Sequence, residues 1–93
     1  MIVSFRCKET ERVFYLQYSS CFPAELQGLF LRKLKMLHHS ATLKDLAIPP
    51  SNRLEKLRGD RAGQWSIRIN NKWRICFVWR NFEALDVEII DYH

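Results

Sequence analysis

The chain has 93 residues, 47% of them hydrophobic, with only three glycines, three prolines and a formal net charge of +5. That length suits one small domain, 1–93, able to bury roughly 60–65% of its unfolded surface. The composition excludes a disordered or low-complexity polypeptide, and no apolar run approaches the ~20 residues of a membrane span.

Met1 to Phe5 is β-branched and weakly alternating, which predicts a short first strand. The same stretch is too short in apolar length for a signal peptide, so a cytoplasmic protein without membrane contact is expected. Thr10 to Tyr18, with Val13, Phe14 and Leu16, predicts a short helix. Pro23 opens a second, a favourable place for proline. Its apolar positions Leu26, Leu29, Phe30, Leu34 and Leu37 keep helical spacing, with Arg32, Lys33 and Lys35 largely between them. Thr42 to Leu46 predicts one further turn before Ile48-Pro49-Pro50-Ser51-Asn52 breaks it.

Three strands follow. Gln64 to Asn70 places Trp65, Ile67 and Ile69 on one face and Ser66 and Arg68 on the other. Trp73 to Trp79 places Trp73, Ile75, Phe77 and Trp79 on one face and Arg74 and Cys76 on the other. Leu85, Val87 and Ile89 are expected to share a face of the last strand. Helices first and strands second predict an α+β domain: two N-terminal helices packed on one face of an antiparallel β-meander. A three-residue loop, Asn70-Asn71-Lys72, puts every apolar residue of the first hairpin on one face, whereas a two-residue loop scrambles both. The chosen register sets Arg68 directly opposite Arg74.

Charge is unevenly distributed. Residues 1–52 hold seven basic and four acidic groups, residues 53–80 eight and two, and residues 81–93 none and four. A concentrated basic segment is an electrostatic footprint for nucleic acid, the alternative being a merely solvated surface. Two arginines facing each other repel unless an anion or carboxylate lies between them. They therefore bind phosphate, or join Glu88 in an internal network that stiffens the sheet. Arg58-Gly59-Asp60-Arg61-Ala62-Gly63 is a glycine-bearing loop without the P-loop lysine pattern, so nucleotide binding is not expected. Lys56, Arg61, Arg68 and Lys72 are candidate RNA contacts. The three tryptophans share parity with core positions, which favours packing over base stacking. Three scattered cysteines, and His38 beside His39 at a helix end, fit neither a disulfide framework nor a metal site; no cofactor or metal is expected. The chain ends Asp91-Tyr92-His93, where the imidazole can transfer protons near neutral pH.

The run from Arg53 to Ile67, RLEKLRGDRAGQWSI, together with Trp73-Arg74-Ile75-Cys76-Phe77, Asp91-Tyr92-His93 and Met1-Ile2-Val3-Ser4-Phe5, resembles the HigB-type toxins of the RelE superfamily along the whole chain. Pro49 to Leu54 and Arg68-Ile69-Asn70 look closest to the GraT-like branch. The resemblance implies a RelE-like fold and a type II toxin that cleaves mRNA in the ribosomal A site without a metal. It implies a HigA-like helix-turn-helix antitoxin, with operator DNA reached only through that partner. It assigns Arg58 and Arg74 to phosphate and Asp91, Tyr92 and His93 to a terminal catalytic cluster. Some family members carry His and Lys in the loop where this chain has Glu55 and Arg58. Arginine keeps the charge but cannot act as a base, which leaves Glu55 as a possible proton acceptor. The competing reading is a non-catalytic nucleic-acid-binding or protein-interaction domain using the same basic face.

Overall fold

Helical spacing of Phe30, Leu34 and Leu37 gives the second helix one fully buried stripe, and that stripe roofs the sheet. The computed structural model describes residues 1–91. Its helices are α1 (Lys8–Phe14), α2 (Gln27–His39) and α3 (Leu43–Ala47). Its strands are β1 (Glu55–Lys56), β2 (Gln64–Arg68), β3 (Trp73–Arg80) and β4 (Glu83–Asp91), all antiparallel in the order β1-β2-β3-β4. Single 3-10 turns occupy Ala24–Leu26, Pro50–Asn52 and Gly59–Arg61. Phe22 and Phe30 pack on Trp73 at ring distances of 5.6 and 5.4 Å, joining the helical layer to the apolar sheet face. No helix among the described residues is long and apolar enough to cross a membrane.

The first hairpin has the expected register. Trp65 faces Phe77, Ile67 faces Ile75 and Arg68 faces Arg74. Asn70 shapes the loop: its Oδ1 accepts from the backbone N–H groups of Lys72 and Trp73, both at 2.9 Å, as an Asx turn does. Thr42 caps α3 in a capping box with Asp45.

Several elements differ from the sequence expectation. The first helix stops at Phe14 because Leu16 turns left-handed at φ 63°. Gln17 N–H donates to Arg12 O and Leu16 N–H to Val13 O, a Schellman ending built without glycine. Pro23 precedes a 3-10 turn that leads into α2 rather than opening the helix itself. Residues 1–5 form no strand; Ile2 and Phe5 make isolated parallel bridges to Ala84 and Val87. A bulge separates those bridges. Asp86 adopts φ 51° and its N–H donates to Ser4 Oγ at 2.9 Å. That extra residue moves Leu85 to the face of Val78, while Ala84, Val87 and Ile89 are buried together. The β3–β4 turn is Asn81-Phe82, both at positive φ as a type I′ turn requires. The two-residue strand β1 was not expected at all.

His38, in the last turn of α2, is tied to the N-terminal segment. Its Nδ1 accepts the Ile2 N–H at 3.1 Å, and burial, then His39 and the N-terminal amine, lower its pKa. Asn52 is fully buried below the segment leading into β1. Its Nδ2 donates to Leu46 O at 3.0 Å and lies 3.2 Å from Met36 Sδ, while its Oδ1 accepts from Lys33 Nζ at 2.7 Å.

Replacing Asn52 with Ala strands the Leu46 carbonyl and the Lys33 ammonium, and is expected to remove roughly 1–3 kcal/mol of stability in urea melts. An acid-side loss is also expected. The unfolded chain protonates His38 near pH ~6.5, but the folded chain does so only at lower pH. Stability therefore falls as pH drops below that value and levels off once the folded pKa is passed. In paired urea melts at neutral and acid pH, His38→Gln should lose less stability than wild type.

Candidate functional site

Strand alternation makes the second sheet face. Ser66 and Cys76 are cross-strand partners, as are Glu55 and Ser66, and Cys76 and Glu88. Directly paired residues point the same way, so Glu55, Ser66, Cys76 and Glu88 form one row across all four strands. At about 4.8 Å per strand step the row is roughly 14 Å long. Small side chains fill its middle and carboxylates mark its ends. Although no helix was expected on this face, Ser66 and Cys76 are fully buried and Arg74 is only 8% exposed.

Arg74 is held in place. Its Nε donates to Ser66 Oγ at 2.8 Å and one Nη to Arg53 O at 2.9 Å, with Glu55 Oε1 at 4.0 Å. Arg68, opposite, donates from Nε to Asn70 O at 3.1 Å and from an Nη to Asn71 Oδ1. An internal network of Glu88 with this arginine pair was one of the two sequence alternatives. Glu88 accepts instead from Arg61 Nη1 at 2.7 Å, because the Gly59–Arg61 turn brings Arg61 to the far end of the row. Hydrogen bonding to Glu88 raises the Arg61 pKa.

Two clefts open on this side. Arg53, Arg68, Asn70, Asn71 and Arg74 line one of about 320 Å³. Glu55, Lys56, Leu57, Arg58, Asp60 and Arg61 line another of about 650 Å³. They adjoin at the Glu55–Arg74 contact. Arg53 was missed from the sequence, where nothing periodic marks it. A left-handed backbone at φ 43° turns its carbonyl to Arg74 and leaves its exposed side chain lining the first cleft. Among the expected residues, Glu55, Lys56, Arg58, Arg61, Arg68 and Arg74 are brought together. Lys72 is set apart, its Nζ 3.5 Å from Asp91 Oδ2 and 5.8 Å above the Trp73 ring. Asp91 pairs with Trp73, so its side chain starts on the helix-facing side, away from Arg74. Tyr92 and His93 lie outside the described residues. Among the described residues no three His, Cys, Asp or Glu side chains converge as a metal-binding group.

The arrangement can bind a phosphodiester. Guanidinium groups at fixed positions offer planar donor forks to phosphate oxygens. Among the described residues Glu55 brings a carboxylate within 4.0 Å of Arg74, and a carboxylate can accept a proton. Cys76 can do neither: burial raises its thiol pKa, and Glu88 and Glu55 add to the rise against the opposing pull of Arg61 and Arg74. A buried neutral thiol is a poor nucleophile.

A family model described as RelE-like toxin of type II toxin-antitoxin system HigB matches residues 3–93. The chain is 31% identical over 93 residues to Endoribonuclease HigB of Proteus vulgaris, covering 100% of both. It is 39% identical over 64 residues to Toxin HigB-1 of Vibrio cholerae, covering 69% of this chain and 67% of that one. Among solved structures, the YoeB-YefM complex from Staphylococcus aureus matches with a TM-score of 0.60 at 19% identity, over 100% of this chain and 98% of that one. That likeness shows the fold.

The thiols should differ in reactivity. Cys21 is exposed and Cys76 buried. Iodoacetamide is expected to label Cys21 in the native protein and Cys76 only after denaturation, read by peptide mass spectrometry.

Proposed function

We propose that this chain, which belongs to the HigB family of RelE-like toxins of type II toxin–antitoxin systems, is an endoribonuclease that cleaves mRNA on the ribosome. The observation that carries the reading is Arg74: a guanidinium fixed by Ser66 and Arg53, next to Glu55, between two cation-lined clefts. Supporting it, one full-length relative is named an endoribonuclease.

In this reading the 2′-hydroxyl of the RNA attacks the adjacent phosphorus in line. Glu55 takes the hydroxyl proton. Arg74 stabilises the charge that builds on the phosphorane, with Arg58 adding a second guanidinium. His93 protonates the leaving 5′-oxygen, and Tyr92 orients it. Arg53, Lys56 and Arg68 bind flanking phosphates. The chain supplies charge in excess and proton-transfer groups sparingly, which fits a site that takes its substrate geometry from the ribosome. The partner that restrains it is an antitoxin with a DNA-binding helix-turn-helix, and the site of action is the cytoplasm.

An in vitro translation reaction tests the reading. Wild type should cleave a defined message when ribosomes are present. An intact message that nevertheless binds the protein would favour a non-catalytic binding domain. Arg74→Lys keeps the charge but loses the fork, and should slow cleavage by about 10²-fold or more, up to 3–4 kcal/mol, with its circular dichroism unchanged. His93→Ala should slow it at least tenfold, roughly 1.4 kcal/mol.

A further inference from the structure

The Arg58–Gly63 loop has soft joints. Gly59 and Gly63 take φ of 66° and 91°, conformations that admit backbone movement most easily at glycine. The hydrogen bonds within it, Arg61 N–H to Arg58 O at 3.3 Å and Ala62 N–H to Gly59 O at 3.0 Å, are local and tie it to nothing else. One side chain reaches out. Arg61 Nη1 donates to Glu88 Oε1 at 2.7 Å, 27 residues away on β4, and to Gln64 Oε1 at 3.1 Å. The Glu88 side chain is 14% exposed and that of Arg61 37%, so the contact is shielded from solvent on the carboxylate side. Glu88 belongs to the row that contains Cys76, Ser66 and Glu55.

We propose that the Arg61–Glu88 pair is a latch that holds the loop over the row and sets the position of Arg58, so that Arg61 is a positioning residue and not an RNA contact. The proposal rests on the ribonuclease reading for what the loop is positioned to do. Three features distinguish it from a passive surface ion pair. The carboxylate ends the Glu55–Ser66–Cys76–Glu88 row and its side chain is only 14% exposed. One guanidinium nitrogen, Nη1, bridges two protein acceptors, Glu88 and Gln64. The segment it fixes is hinged by glycines at two positions and carries Arg58, which lines the larger cleft.

Two measurements on the full chain test it, using Glu88→Gln, Arg61→Met and the double variant. Glu88→Gln keeps size and hydrogen bonding but removes the charge; Arg61→Met keeps the apolar stem. Amide hydrogen exchange is read on the protein without RNA. Each single variant should speed exchange over residues 59–63 by about fivefold while β3 stays protected, which also shows that the variant is folded. Single-turnover cleavage of ribosome-bound message should slow in each, with the half-saturating protein concentration unchanged. The double variant should be no slower than the worse single one, because both remove the same latch. Unchanged loop exchange overturns the latch whatever cleavage does. Additive losses, or a weaker half-saturation confined to Arg61→Met, overturn it in favour of a direct RNA contact. If wild type fails to cleave, the ribonuclease reading falls, and the exchange measurement still decides the latch.

Discussion

A charge that cannot be neutralised sits near the middle of this sheet, and its requirements organise what surrounds it. Arg74 is nearly buried, and a guanidinium is a planar, permanently cationic group with five donors to satisfy. Burying such a charge without partners costs several kcal/mol. Ser66 answers from β2, and only the observed register puts its hydroxyl in reach. Arg53 answers with its carbonyl, presented by a left-handed turn just after the buried Asn52. Glu55 approaches from β1. The register of one hairpin, the turn at residue 53 and the placement of the short edge strand are thus bound to a single side chain.

The same constraint divides the sheet by function. Its helix-facing side spends Phe30, Leu34, Ile67, Ile75, Phe77 and Val87 on the core. Its other side is a trough floored by Ser66 and Cys76 and ended by two carboxylates, each near an arginine. Small residues in the middle create depth, and the paired ends limit how far the charges can move. Exposed Arg53, Lys56 and Arg58, with half-buried Arg68, give the face its cationic surplus. In the proposed reading a polyanion meets preorganised donors there, which is how electrostatic stabilisation of a transition state becomes effective. In the proposed reading, stability and chemistry draw on the same arginine.

Much of this was legible in the residues. Period-two alternation in Trp65-Ile67-Ile69 and Trp73-Ile75-Phe77 admits one register, and it predicted Arg68 opposite Arg74. Helical spacing located α2, and the motifs from Arg53 to Ile67 pointed to the family. What was hidden lies where no pattern operates. Two exposed residues, Glu55 and Lys56, carry no strand signal. Leu16 ends a helix and Asn81-Phe82 closes a hairpin at positive φ without a glycine to announce it. Asp86 adds one residue to β4 and reverses the parity of Leu85, which simple alternation cannot foresee. The actual partner of Glu88 was not foreseen, because the glycine-hinged loop, not the strand opposite, delivers the arginine. Arg53 looked like one more basic residue, since its value lies in a backbone carbonyl. Tyr92 and His93, part of the expected cluster, fall outside the described residues.

The most direct test of the central claim is the chemistry of the cut ends. Message recovered from ribosomes after exposure to the protein can be mapped for its termini. Attack by the 2′-hydroxyl, assisted by the Arg74 face, leaves a cyclic phosphate on one fragment and a 5′-hydroxyl on the other. Those ends, produced by wild type and lost in step with the rate in Arg74→Lys, are the predicted result. Intact message, or fragments bearing a 5′-phosphate, would contradict the account.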